Sequence, residues 1–238
     1  MNNPEVFGRI NSIQSLGTLD GPGIRYVVFM QGCNLRCGCC HNPDTWNIQE
    51  GKDVTASEIF SKVLSYRSYF GKDGGITVSG GEPLLQSEFV RELFSLCKAE
   101  GINTCLDTSG SILNEEVKSL LNVTDRVLLD IKYTDEESYK KYAGCSYRAP
   151  LKFLEHLEGK KIPAVLRQVT IPTLNDNKEN IERLNELKEN FSCVEKIELL
   201  PFKKICKVKY ENLCLPFPFE EYEVPSKELM NELNSLIR

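Results

Sequence analysis

The chain has 238 residues, 41% of them hydrophobic and 26% charged, an ordinary composition for a globular protein and long enough for one large domain that needs no disulfides. Its 29 basic and 34 acidic side chains leave a net charge of −5, without the basic excess of a nucleic-acid binder. No run approaches the roughly 20 apolar residues of a membrane span, and Met1-Asn2-Asn3-Pro4-Glu5 lacks the basic-then-apolar pattern of a secretory leader, so a cytoplasmic protein is expected.

Six short strands are predicted, rich in Val, Ile and Leu and often continuously apolar, as in a parallel sheet buried on both faces. The first, Ile24–Met30, runs into the crowded segment Cys33–Cys40. A helix follows, opened by the capping box Thr55-Ala56-Ser57-Glu58 and carrying Ile59, Phe60, Val63 and Leu64. The second strand, Ile76–Ser79, ends at Gly80-Gly81-Glu82-Pro83. Ser87 is expected to cap the next helix, with Phe89, Val90, Leu93, Phe94 and Cys97 on its inner face and Gly101 as its stop.

The third strand, Asn103–Asp107, leads into Thr108-Ser109-Gly110, and the fourth, Arg126–Ile131, into Lys132. Thr134 and Glu137 read as a second capping box. The fifth strand, Ala164–Thr170, carries Arg167 and runs to Pro172, and a helix marked by Ile181, Leu184 and Leu187 follows it. The sixth, Lys196–Leu200, ends at Pro201-Phe202-Lys203, and Leu229, Met230, Leu233 and Ile237 mark a final helix.

Strand alternating with helix six times implies the α/β class and one domain over residues 1–238, with a core of about 8–201 and a C-terminal loop and helix over 202–238. Six units are too few for a closed eight-stranded barrel. A partial, open (β/α)6 barrel of the TIM type is the expected geometry, with a flat doubly wound sheet as the competitor. In such folds the carboxyl ends of the strands share one rim, where ligands bind. The polar and glycine-rich features above all follow strand ends.

Four of the ten cysteines fall within Cys33–Cys40, while Cys97, Cys105, Cys145, Cys193, Cys206 and Cys214 are scattered and read as ordinary buried or spectator thiols. Crowding in a chain of this type favours a metal or cluster over disulfides. A zinc site usually takes two separated Cys-x-x-Cys pairs, and a second such pair is missing here. Three thiolates on a [4Fe–4S] cube leave one iron open for chemistry, and the spacing favours that reading with zinc as the alternative.

The spacing Cys-x-x-x-Cys-x-x-Cys resembles the signature of the radical S-adenosylmethionine (SAM) superfamily. Gly17-Thr18-Leu19-Asp20-Gly21-Pro22-Gly23-Ile24-Arg25, Gln31-Gly32-Cys33, Cys40-His41-Asn42-Pro43-Asp44-Thr45-Trp46, Ser79-Gly80-Gly81-Glu82-Pro83 and Leu106-Asp107-Thr108 narrow the likeness to the glycyl-radical-enzyme activating enzymes. It runs in the right order from about Gly8 to Pro201. The interval Thr45–Thr77 holds no cysteine, which matches the short type that acts on pyruvate formate-lyase.

The resemblance implies that Cys33, Cys37 and Cys40 hold a [4Fe–4S] cluster whose open iron binds SAM through its amino and carboxylate groups. A 5′-deoxyadenosyl radical then takes hydrogen from a backbone glycine of the partner, and no catalytic side chain is needed beyond the cluster and SAM. Contacts to SAM are implied for Cys40, His41, Gly81, Asp130, Ile131, Lys132, Arg167, Val169 and Lys203, with Cys39 beside the adenine. Asp107, Thr108 and Asp130, with the carbonyl of Leu128, match positions that bind a monovalent cation next to SAM, and hard oxygen donors suit such an ion.

Three positions depart from the family pattern. Cys39 stands where an aromatic residue is usual, and reads as a spectator or, alternatively, a fourth ligand. Lys203 replaces the usual histidine, and Thr173 a common glycine after Ile171-Pro172. The implied partners are a glycyl radical enzyme, pyruvate formate-lyase for the short type, and a flavodoxin or ferredoxin as electron donor, with no nucleic acid, no membrane and a monomeric chain. The alternatives are the activase of another glycyl radical enzyme, such as anaerobic ribonucleotide reductase, and a passive iron–sulfur electron carrier with four thiolate ligands. Leu215–Pro225 reads as a packed surface loop and His156 as an ordinary surface helix residue.

Overall fold

A computed structural model describes residues 5–238, so Met1–Pro4, on which the leader reading partly rests, lie outside the described residues. Among the described residues eight strands form one open, mixed sheet in the order β3-β1-β2-β4-β5-β6-β7-β8. They are β1 (Phe7–Gly17), β2 (Arg25–Met30), β3 (Lys52–Thr55), β4 (Gly75–Gly80), β5 (Asn103–Thr108), β6 (Arg126–Asp130), β7 (Ala164–Thr170) and β8 (Val194–Pro201). The chain divides into two compact units. One takes the residues up to Asn34, Thr45–Thr108 and Ile112–Leu128; the other takes Leu35–Asp44, Ser109–Ser111 and Leu129–Arg238.

In the first unit, β2, β4 and β5 pair in parallel, with Val27 opposite Thr77 and Val78 opposite Leu106. Their side chains are buried on both faces, as the apolar runs predict. The six predicted strands correspond to β2 and β4–β8; β1 and β3 are additional. β1 pairs antiparallel with β2, Val28 opposite Ile13, and β3 pairs antiparallel with β1, Arg9 opposite Asp53. A strand with one wet face alternates polar and apolar residues, and the sequence of β1, FGRINSIQSLG, alternates in burial in this way.

Helices α1 (Ala56–Ser65), α2 (Ser87–Ala99) and α3 (Glu115–Leu121) follow β3, β4 and β5. The Thr55 capping box forms as predicted, with Glu58 N donating to Thr55 Oγ1 at 3.1 Å and Thr55 N to the Glu58 carboxylate at 2.9 Å. Ser87 is not a cap: it already lies in helical conformation. The chain enters the helical geometry earlier, through a 3-10 turn at Pro83–Gln86 that Glu82 caps, its carboxylate accepting from Leu84 N. Proline at the first helical position needs no N–H there.

In the second unit β7 and β8 pair in parallel, with Leu166 opposite Ile197. The helices are α4 (Glu136–Tyr142), α5 (Arg148–Lys160), α6 (Lys178–Asn190), α7 (Lys207–Asn212) and α8 (Lys227–Ser235). The cap of α4 is Asp135, not Thr134: the Asp135 carboxylate accepts from Ser138 N at 2.7 Å. The Thr134 hydroxyl is turned inward to the Asn180 side chain at 2.8 Å. Thr173 adopts φ +69°, the left-handed region that glycine occupies without strain. Its N–H is held by the Asp176 carboxylate at 2.9 Å. No helix among the described residues is long and apolar enough to cross a membrane.

Candidate active site

In the first unit the end of β2 is built for close backbone packing. Gly32 has φ +95°, and a Cβ there would lie 2.2 Å from the Ile48 side chain. Its N–H donates to Thr45 O at 2.7 Å, and Cys33 N donates to Trp46 O at 3.4 Å. Gln31 is fully buried and braces this turn: its amide donates to Asn47 O at 2.8 Å and accepts from Asn11 at 3.1 Å. The start of the cysteine loop is therefore fixed by backbone bonds on both sides.

Gly80 and Gly81, at the end of β4, lie against the same turn. Gly81 N donates to Met30 O at 3.0 Å, and Glu82 N donates to Gly32 O at 2.8 Å. A Cβ on Gly81 would sit 2.1 Å from Gly32 O, and one on Gly80 2.5 Å from Met30 N. Neither position tolerates a side chain. Glu82 is 1% exposed, and its carboxylate accepts from Thr108 Oγ1 at 2.6 Å. Ser79 Oγ donates to the Asp107 carboxylate at 2.7 Å. The structure thus places Gly81, Asp107 and Thr108 in one network at the ends of β4 and β5, and Leu128 is buried within β6.

In the second unit the rest of the cysteine loop, Leu35–Asp44, is held from several directions. Arg36 N donates to Ala143 O at 3.2 Å and Gly38 N to Tyr142 O at 2.9 Å, so the end of α4 carries the loop. Cys40 N closes a turn on Cys37 O at 3.1 Å. A Cβ on Gly38 would lie 2.1 Å from the Phe219 ring, which explains glycine between two cysteines. From α7, Tyr210 donates its hydroxyl to Cys40 O at 3.1 Å, and Lys209 meets Asn42 at 3.0 Å and Asp44 at 2.9 Å. Leu215–Pro225 is the packed loop expected, with Phe217 and Phe219 buried against Phe202.

The ends of β6 and β7 carry the charged groups. Lys132 Nζ donates to Asp130 at 2.6 Å, and Arg167 Nε lies 3.9 Å from the same carboxylate. Burial opposes both charges of the pair. The Lys132 and Arg167 cations nevertheless hold the Asp130 carboxyl below the usual carboxylate range, and Asp130 with the neighbouring thiols holds Lys132 well above the usual amine. Ile131 is fully buried, its N–H bonded to Arg167 O at 2.8 Å, and Val169 is half-buried in β7.

Lys203 is exposed, and its carbonyl lies 3.1 Å from His41 Nε2. Burial and three nearby lysines push the His41 imidazole down, against the bond to that carbonyl. Burial, then the neighbouring Cys37, push the Cys39 thiol up to about 12.

Among the described residues no two cysteines are joined in a disulfide, and no three His, Cys, Asp or Glu side chains form a ready-made metal group. A cube binds each thiolate through a different iron, so its ligands need not converge on one point as those of a single ion do. Sequence reading missed Gln31, Lys209 and Tyr210, whose side chains hold the loop. Only Gln31, flanking the cysteines in the quoted Gln31-Gly32-Cys33, left a local signal.

The sequence model described as the Radical SAM superfamily matches residues 27–186, about two thirds of the chain. The chain is 45% identical over 234 residues to a pyruvate formate-lyase-activating enzyme of Clostridium pasteurianum, covering 98% of both. It is 40% identical over 235 residues to the pyruvate formate-lyase 1-activating enzyme of Escherichia coli strain K12, covering 98% of this chain and 96% of that one.

Among solved structures, a domain of a pyruvate-formate lyase-activating enzyme from Bacteroides vulgatus superposes with TM-score 0.57 at 24% identity, over 68% of this chain and 92% of that one. Streptococcus suis SuiB bound to S-adenosylmethionine superposes with TM-score 0.64 at 14% identity, over 85% of this chain and 44% of that one. Likeness at these identities is one of fold. With the cysteine spacing, the glycine cradle and this similarity over almost its whole length, the chain belongs to the radical SAM superfamily and, within it, to the family of the pyruvate formate-lyase-activating enzymes.

Proposed function

We propose that this chain activates a glycyl radical enzyme, pyruvate formate-lyase, by creating a radical on a backbone glycine of that partner. The observation that carries this reading is the 39–45% identity over nearly the full length to enzymes of that name. The family implies a [4Fe–4S] cluster and SAM. When bound, these two supply an electron to a carbon–sulfur bond and a carbon radical strong enough to take hydrogen from glycine.

The residues present suit both groups. Cys33, Cys37 and Cys40 offer three thiols on an irregular loop in which the amides of Cys33, Arg36, Gly38 and Cys40 are already engaged, and we assign these thiols as the cluster ligands. Gly80 and Gly81 leave no Cβ where the backbone comes close, which lets the Gly81 peptide meet the amino group of SAM. Lys132, held protonated by Asp130, is the partner for the SAM carboxylate, and Asp130 and Ile131 for the ribose. Arg167, Val169 and the His41 segment complete the binding surface, and His41 is no catalytic base, since hydrogen-atom abstraction by a carbon radical needs none. Cys39 is a spectator thiol in this scheme.

Asp107, Thr108, the Leu128 carbonyl and Asp130 are assigned to a monovalent cation beside SAM, since they are hard oxygen donors. A flavodoxin or ferredoxin supplies the electron; cluster potentials reach about −700 mV at the low end, so the donor must itself be strongly reducing.

The test is anaerobic incubation of the reconstituted chain with SAM, a strong reductant and pyruvate formate-lyase, read by electron spin resonance. A doublet from a glycyl radical on the lyase is expected, with 5′-deoxyadenosine formed in step. Formation of 5′-deoxyadenosine without the lyase signal would keep the SAM chemistry and remove this partner. Absence of both would remove the whole reading.

A further inference from the structure

Tyr133 directly follows Lys132 and is 3% exposed, yet its hydroxyl has no hydrogen-bond partner among the described residues. Leaving a buried hydroxyl unbonded is costly, and native proteins rarely retain such a group without a partner of some kind. The neighbouring Tyr139 shows the contrast: its hydroxyl accepts from Lys132 N at 3.1 Å and donates to Asp130 O at 3.4 Å.

The ring of Tyr133 is flanked by Tyr142, 5.4 Å between centroids, and by the edge of Tyr139 at 6.3 Å. Tyr142 is also the residue whose carbonyl holds Gly38, between Cys37 and Cys39. Tyr133 therefore packs on the ring of a residue whose backbone also holds the cysteine loop. Its hydroxyl lies in the field of the Cys39 and Cys37 sulfurs and of the Lys132 ammonium.

We infer that the Tyr133 hydroxyl is a hydrogen-bond donor to a cluster sulfur on the Cys37 side, and so a residue that sets the reduction potential. This rests on the cluster assignment proposed above. Thiolate and sulfide sulfurs on iron carry negative charge and accept hydrogen bonds, and such bonds tune the potential. A donor stabilises the reduced cluster, which has one more negative charge, over the oxidised one. The potential is raised accordingly. An acceptor supplied by SAM instead would leave the SAM-free cluster untouched by the hydroxyl.

The experiment compares the full chain with its Tyr133→Phe variant, both reconstituted anaerobically and without SAM, in redox titrations followed by electron spin resonance. The variant is expected to be three- to tenfold harder to reduce, tenfold being about 59 mV for one electron. An unchanged potential in a variant that carries its cluster overturns the inference while leaving the cluster assignment intact. A wild-type chain that takes up no cluster sinks that assignment, and this inference with it. Thermal melts of the cluster-free proteins are the second measurement. Loss of an unbonded hydroxyl should leave the variant as stable as wild type or slightly more so. A fall of several degrees would mean that the hydroxyl has a partner within the protein, and overturns the inference.

Discussion

Thr108 donates its hydroxyl to the Glu82 carboxylate at 2.6 Å, and both side chains are buried. The bond ties the end of β5 to the residue that also caps the turn after Gly80-Gly81, through Leu84 N at 3.1 Å. Glu82→Ala would leave two buried donors without this acceptor. A loss of about 2–4 kcal/mol in chemical denaturation of the apoprotein is expected, against about 1–2 for Thr108→Val. The double variant should fall short of the sum, because the two side chains share one bond. Strict additivity would show that the contact carries no energy.

Gly81→Ala places a methyl group 2.1 Å from Gly32 O, a clash with backbone that no rotamer relieves. SAM affinity of the reconstituted protein should fall at least tenfold, about 1.4 kcal/mol, in equilibrium binding. Gly159→Ala is the contrast. That glycine lies in α5 with nothing within 4 Å of the added carbon. It should stabilise the protein by up to about 1 kcal/mol and leave SAM binding alone.

Asp125 gives the clearest acid dependence. Burial alone would raise its carboxyl, but the Lys98 ammonium and the Thr104 N–H at 3.0 Å outweigh that and hold it below the usual range. A carboxyl lowered on folding stabilises fully above its unfolded value, near pH 4, and loses that contribution as pH falls through the folded value. The pair is partly exposed, so about 1 kcal/mol is at stake. Denaturation of wild type between pH 5 and 2 should show this loss, and Asp125→Asn should be weaker at pH 7 but flatter with acid. Parallel curves for the two proteins would refute the account.

Cys39→Ser separates a spectator from a fourth ligand. The variant is expected to keep its iron and sulfide content, and its electron spin resonance signal should still change on adding SAM. A passive electron carrier with four thiolates would lose the cube in this variant, and its wild-type signal would not respond to SAM at all.

The buried parallel strands were legible because each is a short apolar run: β2, β5 and β7 lie within one residue of the runs read from the sequence. β1 and β3 were not, since a strand with a wet face looks like polar linker unless its alternation is weighed. Two caps were misplaced for a related reason. Thr134 and Asp135 are adjacent capping residues, and only the inward turn of Thr134 toward Asn180 decides between them. The cysteine cluster stood out by its spacing, and the glycines only through the resemblance to a family. The groups that hold them did not stand out: Tyr210 reaches Cys40 across 170 positions of sequence, and no periodicity records such a contact.

That long reach has a bearing on how the protein matures. Phe219 fills the space over Gly38, and Tyr210 and Lys209 fasten the stretch from Cys40 to Asp44. A nascent polypeptide exposes its thiols before the clamps that shape the segment around them, which follow 165 to 170 positions later. Iron and sulfide delivered during synthesis would meet a floppy hook; delivered after release, they meet a finished one. Assembly factors serving this protein should therefore act once the stretch from Lys209 to Phe219 has been made, and truncations before Phe217 should fold their strands yet fail to retain iron.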